Sequence, residues 1–160
     1  QNAIGGILFI DEAHQFIGET SDHSYGKQAI NTLVPLMENH RKEICVILGG
    51  YKDKLQKLFQ YDPGLKSRIN HIIDFEDYTA EEMLEIFYIF KNKDYPDLKM
   101  ENGADDQLLE YFEILKEKDD FSNGRTVRNF FDKIMKKVAL HWEAQKMILL
   151  QDVADAFREM

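Results

Sequence analysis

The chain has 160 residues, 44% of them apolar and 31% charged, and a net charge of −9. That is apolar material enough for one packed domain, or for a larger and a smaller lobe sharing one chain. So acidic a balance argues against a general nucleic-acid binder, which neutralises phosphates with clustered Lys and Arg, but leaves nucleotide binding open.

Gln1-Asn2-Ala3 shows no signal-peptide pattern and reads as an internal cut. Gly6-Ile7-Leu8-Phe9-Ile10 then runs, almost without polarity, into Asp11-Glu12-Ala13-His14. A short apolar run without alternation predicts a strand buried on both faces, as in a parallel sheet covered by helices. Ligands of such sheets sit beyond the carboxyl ends of the strands, where Asp11 and Glu12 emerge. Adjacent acids at that rim are costly unless a cation binds there. In phosphoryl-transfer enzymes one such acid holds Mg2+ and a neighbouring polar group orients the attacking water. Asp11 is therefore read as metal holder and Glu12 as activator of water, the pattern of a Walker B motif. The plainer alternative is a core strand ending in a turn with a solvated acid pair.

The polar tract from Gly18 to Gly26 reads as a surface loop. Ile30, Leu33, Val34 and Met37 have helical spacing over 27–38, and Pro35 inside that helix should bend it near Asn31–Val34. Ile44-Cys45-Val46-Ile47-Leu48 predicts a second strand, with Cys45 buried, closed by Gly49-Gly50-Tyr51. A short polar helix from Asp53 to Gln60 and a turn at Tyr61-Asp62-Pro63-Gly64 follow. Ile69-Asn70-His71-Ile72-Ile73-Asp74-Phe75 predicts a third, weaker strand. From Thr79 amphipathic helices take over, with no further strand expected. Thr79-Ala80-Glu81-Glu82 is a capping box for a helix to about Asn92. Asp105 opens another through Leu108, Leu109, Phe112 and Leu115. A third, from about Asn123, buries Val127, Phe131, Ile134, Val138 and Trp142 and turns Lys133, Lys136 and Lys137 outward as a solvated face. Asp152 caps the last helix. Residues 1–77 thus read as part of an α/β layer, and residues 78–160 as a helical lid.

Two arginines stand out. Arg68 directly precedes the third predicted strand, where a guanidinium is either a solubilising charge or a finger reaching a neighbouring subunit's phosphate. Arg125 lies in the first turn of the helix beginning near Asn123-Gly124, where a cation opposes the helix dipole at a cost of about 0.3–1 kcal/mol. The same helix start has free N–H groups that favour an anion, so a phosphate in front of Arg125 would offset that cost. Arg128, one turn on, either shares the anion or forms an ion pair within the lid.

With these residues placed, the chain resembles the AAA+ ATPases, in the branch that contains the red-type rubisco activase and the stage V sporulation protein K. The resemblance is carried by Gly6–Ala13, Pro35-Leu36-Met37-Glu38-Asn39, Val46–Asp53, Pro63–Ile69 and Asn123–Asn129, in the family's order. It implies a partial parallel-sheet P-loop NTPase core and an all-helical lid. It further implies a Walker B role for Asp11 and Glu12, an arginine-finger role for Arg68 and the sensor 2 role for Arg125. Tyr51 falls where many relatives carry a polar sensor 1 side chain. The resemblance also implies ATP and Mg2+ as ligands, a ring of six subunits, and a protein substrate that the sequence does not name. Membrane and nucleic-acid partners are not expected. The lone Cys45, which supplies neither a disulfide nor a Cys-based metal site, fits a reducing cytoplasm.

No Gly-x-x-x-x-Gly-Lys-Ser/Thr occurs in the 160 residues, so no P-loop is present to cradle phosphates. In the family that loop follows the first strand, which lies between the strands expected at 44–49 and 70–75. The expectation is a C-terminal part of a longer ATPase, inactive by itself. Its sheet slot would be filled by another chain, closed by shifted strands or covered by the lid. Two other readings compete. Asp11-Glu12-Ala13-His14 also spells a DEAH-box helicase motif, although the Ser-Ala-Thr element and second α/β lobe of those enzymes are missing. The other is a non-hydrolysing AAA+-derived module that only binds partners. Under the AAA+ reading His14 is an ordinary helix-start residue.

Overall fold

The computed structural model describes residues 3–17 and 23–160, excepting the side chains of His23 and Ser24. The chain divides into two compact units, residues 1–75 and 76–160. Each is built around its own core.

In the first unit the two apolar runs form β1 (Ile7–Ile10) and β2 (Cys45–Leu48). They pair in parallel, with Ile7 opposite Cys45, Leu8 opposite Val46, Phe9 opposite Ile47 and Ile10 opposite Leu48. A 3-10 helix (Ala13–Ile17) follows β1, and α1 (His23–Asn39) returns the chain to β2. After β2 come α2 (Lys52–Tyr61) and the single turn α3 (Pro63–Lys66). Leu8, Ile10, Val46 and Leu48 pack on a core made by Ala13, Ile30, Leu33, Met37, Leu58 and Leu65. Strand residues alternate between the two faces of a sheet, so Ile7, Phe9, Cys45 and Ile47 occupy the opposite face. That face is open: Phe9 is 60% exposed and Cys45 is exposed too. The expectations of a doubly buried strand and a buried Cys45 are therefore corrected. The apolar run reports what both faces could bury, whereas the described elements cover only one.

Two local expectations also change. α1 begins at His23, so residues 23–26 are helical and not loop, while residues 18–22 lie outside the described set. Pro35 lies inside α1, as its spacing predicts. The turn at Asp62-Pro63 continues into α3, because the Asp62 carboxylate accepts the Leu65 N–H at 2.6 Å and Pro63 is preset for a first helical position.

Residues 69–79 form no strand. A strand needs a partner edge, and the described sheet of this unit is β1 and β2 alone. Ile72 is 73% and Phe75 93% exposed, and the Lys52 ammonium meets Asp74 at 2.8 Å. The expected slot between two strands is consequently not formed, and no shifted strand closes on β2.

The second unit contains α4 (Ala80–Asp94), β3 (Lys99–Met100), α5 (Ala104–Lys116), α6 (Gly124–Val138), β4 (Met147–Ile148) and α7 (Leu150–Phe157). β3 and β4 pair in parallel, Lys99 with Met147 and Met100 with Ile148, so the lid is not wholly helical. Two-residue strands are too short to leave a periodic signal. Thr79 and Glu82 do form the predicted reciprocal cap of α4, at 3.2 and 2.9 Å. The core is aromatic: Phe87 meets Phe131 edge to face at 5.3 Å, and Phe112 meets Phe130 at 5.9 Å. Val127, Phe131, Ile134 and Val138 are buried as their spacing predicts. Trp142 lies beyond α6, half-buried, with its ring 5.9 Å from that of Tyr95.

The cap of α7 is shifted from expectation. Leu149 occupies the N-cap position, and the buried Asp152 accepts its N–H at 2.9 Å from inside the first turn. The lysine row of α6 is also not simply solvated. Lys133 donates to the Glu159 carbonyl and Lys137 to the Glu159 carboxylate. Among the described residues no helix is long and apolar enough to cross a membrane.

Candidate functional site

At the end of β1 the chain turns sharply. Glu12 has φ +49°, a left-handed conformation that costs a non-glycine residue on the order of 1–3 kcal/mol and is concentrated at functional sites. The exposed Asp11 carboxylate accepts the Glu12 N–H at 2.9 Å, which steadies that turn. The Glu12 carbonyl accepts the Gln15 N–H at 2.8 Å and starts the 3-10 helix. The end of β2 is stitched to the same place, since Gly49 N–H donates to the Ile10 carbonyl at 2.8 Å and Ala13 N–H to the Gly49 carbonyl at 2.9 Å. The acid pair and the Gly49-Gly50-Tyr51 loop therefore meet at one rim of the two-stranded sheet.

Glycine lets that loop come close to the acid pair and His14. A Cβ on Gly49 would lie 3.3 Å from Asp11 Oδ1, and one on Gly50 3.1 Å from His14 Nδ1. Tyr51 starts α2 and is 64% exposed, with the Lys54 ammonium 4.7 Å from its ring centroid. Its ring stands edge to face with that of His14, at 6.2 Å. His14 Nε2 lies 3.3 Å from Glu12 Oε2, so His14 belongs to the rim and is more than a helix-start residue.

One exposed carboxylate suits Mg2+, which keeps most of its waters and is bound through one or two carboxylates plus substrate phosphates. Among the described residues no three His, Cys, Asp or Glu side chains gather to enclose an ion, so the donor set fits a shared Mg2+ better than a caged metal.

Arg68 stands elsewhere in the first unit, after α3. Its Nη1 donates to the Gly64 carbonyl at 2.8 Å, and its Nε lies 3.4 Å from the Glu38 carboxylate of α1. The guanidinium is thus half-buried and folded back on its own unit. Glu38 was not singled out in the sequence, because a partner thirty residues away leaves no local pattern.

In the second unit Asn123 sets the start of α6. It has φ +50°, its side-chain oxygen accepts the Tyr78 N–H at 2.9 Å, and its amide donates to Asp77 at 2.7 Å. Arg125 follows in the first turn, exposed, and its guanidinium makes no hydrogen bond or ion pair with any described residue. Arg128 is engaged differently: its guanidinium lies 3.7 Å over the Phe90 ring of α4. A cation–π contact takes the place of the ion pair weighed from the sequence.

Comparison with known proteins adds the following. Residues 1–77 match the ATPase family associated with various cellular activities (AAA), and residues 79–159 match the AAA lid domain. A protein CfxQ homolog of Galdieria sulphuraria is 42% identical over 133 residues, 83% of this chain and 43% of the relative. Protein CbbX of Cereibacter sphaeroides is 38% identical over 134 residues, 83% of this chain and 42% of that protein. A chloroplastic ribulose bisphosphate carboxylase/oxygenase activase of Cyanidioschyzon merolae (strain NIES-3377 / 10D) is 38% identical over 133 residues, 83% of this chain and 45% of that protein. The chain spans less than half the length of each of these relatives.

Proposed function

Because the chain belongs to the AAA family of ATPases and carries the lid domain of that family, we propose that it supplies the water-activating carboxylate and the lid of an ATP-driven protein remodeller. The observation that carries this is the rim at the end of β1, where Asp11 and the left-handed Glu12 meet the Gly49-Gly50-Tyr51 loop.

In this reading Asp11 holds Mg2+, whose chemistry is to neutralise charge on the β- and γ-phosphate oxygens. Glu12 accepts the proton of the attacking water as it adds to the γ-phosphorus. Tyr51 takes the place of sensor 1, its hydroxyl offered at the rim. The unpaired guanidinium of Arg125 contacts the nucleotide phosphates, and the dipole at the α6 start adds to the same attraction. Arg128 braces α6 against α4 through Phe90. Arg68 is the finger offered to a neighbouring subunit. Its contact with Glu38 joins a partly exposed pair at 3.4 Å, which is weak enough to be exchanged for a phosphate. The assembly is a ring, of six subunits, acting in the cytoplasm on a protein partner. The name of the Cyanidioschyzon relative, an activase of a carboxylase/oxygenase, supports a protein as the class of substrate.

No Gly-x-x-x-x-Gly-Lys-Ser/Thr occurs in the sequence. By itself the chain therefore lacks the backbone cradle for the phosphates and does not hydrolyse ATP. The same absence favours, as a second reading, a non-hydrolysing module that keeps the fold for binding alone. A chimera separates the two: these residues replace the matching segment of the Galdieria protein, and ATP turnover is compared with that of the 160-residue chain. The motor reading expects turnover from the chimera and none from the chain. A folded chimera without turnover supports the binding module instead.

A further inference from the structure

His14 stands at the rim, but the roles above leave it idle. Its side chain is 14% exposed, and its Nε2 lies 3.3 Å from Glu12 Oε2. Its Nδ1 is buried and has no hydrogen-bond partner among the described residues. The ring is wedged: Gly50 approaches so closely that a Cβ there would sit 3.1 Å from Nδ1, and Tyr51 stands edge to face with it at 6.2 Å. Rotation about the side chain would drive the imidazole into the loop after β2.

Two neutral tautomers are available to an imidazole, and the surroundings discriminate between them. A proton on Nδ1 would be a buried donor facing no acceptor, while bare Nε2 would face a carboxylate oxygen. Nε2 lies at ion-pair distance from that oxygen, so a proton there has a carboxylate beside it and only a bare lone pair is left buried at Nδ1. Orphaned donors are the rarer and costlier defect. The surroundings therefore favour the Nε2–H form.

We propose that His14 is a positioning residue for the Glu12 carboxylate. Glu12 leaves the strand in a left-handed conformation, so its backbone does not aim its side chain as an ordinary strand or helix residue would be aimed. The imidazole sits against Oε2 at 3.3 Å and leaves Oε1 to accept from water. A carboxylate held at one oxygen keeps the other at a fixed angle, which is the orientational part of general-base efficiency. This inference rests on Glu12 having the water-activating role.

The test begins with the 160-residue chain, by nuclear magnetic resonance of the imidazole nitrogens and the Glu12 carboxyl carbon. Expected are an Nε2–H ring for His14 and ring resonances that move on Glu12→Gln while those of His40, His71 and His141 do not. The Glu12 carboxyl resonance should move in His14→Phe, which keeps a ring but no donor, and return toward its native position in His14→Gln. An Nδ1–H ring, or His14 resonances indifferent to Glu12→Gln, overturns the proposal, and neither result depends on how well His14→Phe folds. In the Galdieria chimera His14→Phe should lower kcat roughly tenfold with KM for ATP unchanged, and His14→Gln should restore most of it. Turnover that survives Glu12→Gln overturns the proposed function itself. Turnover that Glu12→Gln abolishes and His14→Phe leaves intact overturns the His14 proposal alone.

Discussion

Replacing Asp152 by Ala should loosen the second unit, and should do so in a pH-dependent way. The carboxylate is buried in the first turn of α7 and accepts the Leu149 N–H at 2.9 Å. It also faces His141 Nε2 at 2.9 and 3.1 Å, joining the chain just beyond α6 to the start of α7. The hydrogen bond to Leu149 is worth about 1 kcal/mol and the charge-assisted one to His141 about 2 kcal/mol, so the loss is about 3 kcal/mol where His141 is charged. For a unit of this size that lowers the unfolding midpoint by roughly 12–24 °C. Hydrogen bonding to Asp152, which outweighs the opposing effect of burial, raises the pKa of His141 above its ordinary value of 6.5. A raised folded-state pKa contributes stability that is fully present below 6.5 and disappears as pH climbs through the raised value. The difference between the native chain and Asp152→Ala should therefore be largest at mildly acid pH and smaller at pH values well above the ordinary value. Urea unfolding followed by the fluorescence of Trp142, the single tryptophan, reads this unit directly. A difference under about 0.5 kcal/mol at mildly acid pH, or one that does not shrink on raising the pH, would refute the reasoning.

Phe87 is fully buried among Phe131 and its neighbours, so Phe87→Ala should cost about 3–5 kcal/mol, seen as loss of the Trp142 unfolding transition at moderate urea. Cys45 lies on the open face of β2, and a water-soluble thiol reagent should label it in the native chain as fast as in urea; strong native protection would contradict the open face. Arg128→Ala should remove a cation–π contact worth about 0.5–1 kcal/mol and destabilise the same unit by that much. Arg128→Lys should recover part of the loss, and equal instability in both variants would argue against the contact with Phe90.

Much of this architecture is legible from short-range pattern. β1, β2 and the principal helices follow from apolar runs and helical spacing, and the Thr79–Glu82 cap from four adjacent residues. What was misread depends on distant partners. Residues 69–75 have strand-forming composition but no described edge to pair with, so composition alone misleads. The apolar run of β2 could not tell that one face, with Cys45 on it, would stay open. Asp152 was recognised as a capping residue but placed three positions early, because an acid in the first turn can cap from either side of the helix start. The acid pair Asp11-Glu12 was visible, whereas the approach of His14 to Glu12 was not. That contact depends on the left-handed turn at Glu12 and on the 3-10 helix after it, and neither leaves a periodic trace.

Glu12 as the water-activating base is the centre of the account, and single-turnover hydrolysis in the chimera with the Galdieria protein examines it most directly. Glu12→Gln, with ATP and Mg2+ bound, should slow hydrolysis by about 10²–10⁴-fold while leaving nucleotide affinity within a few-fold of the parent. Hydrolysis at the parent rate in a Glu12→Gln chimera that still binds ATP would contradict it.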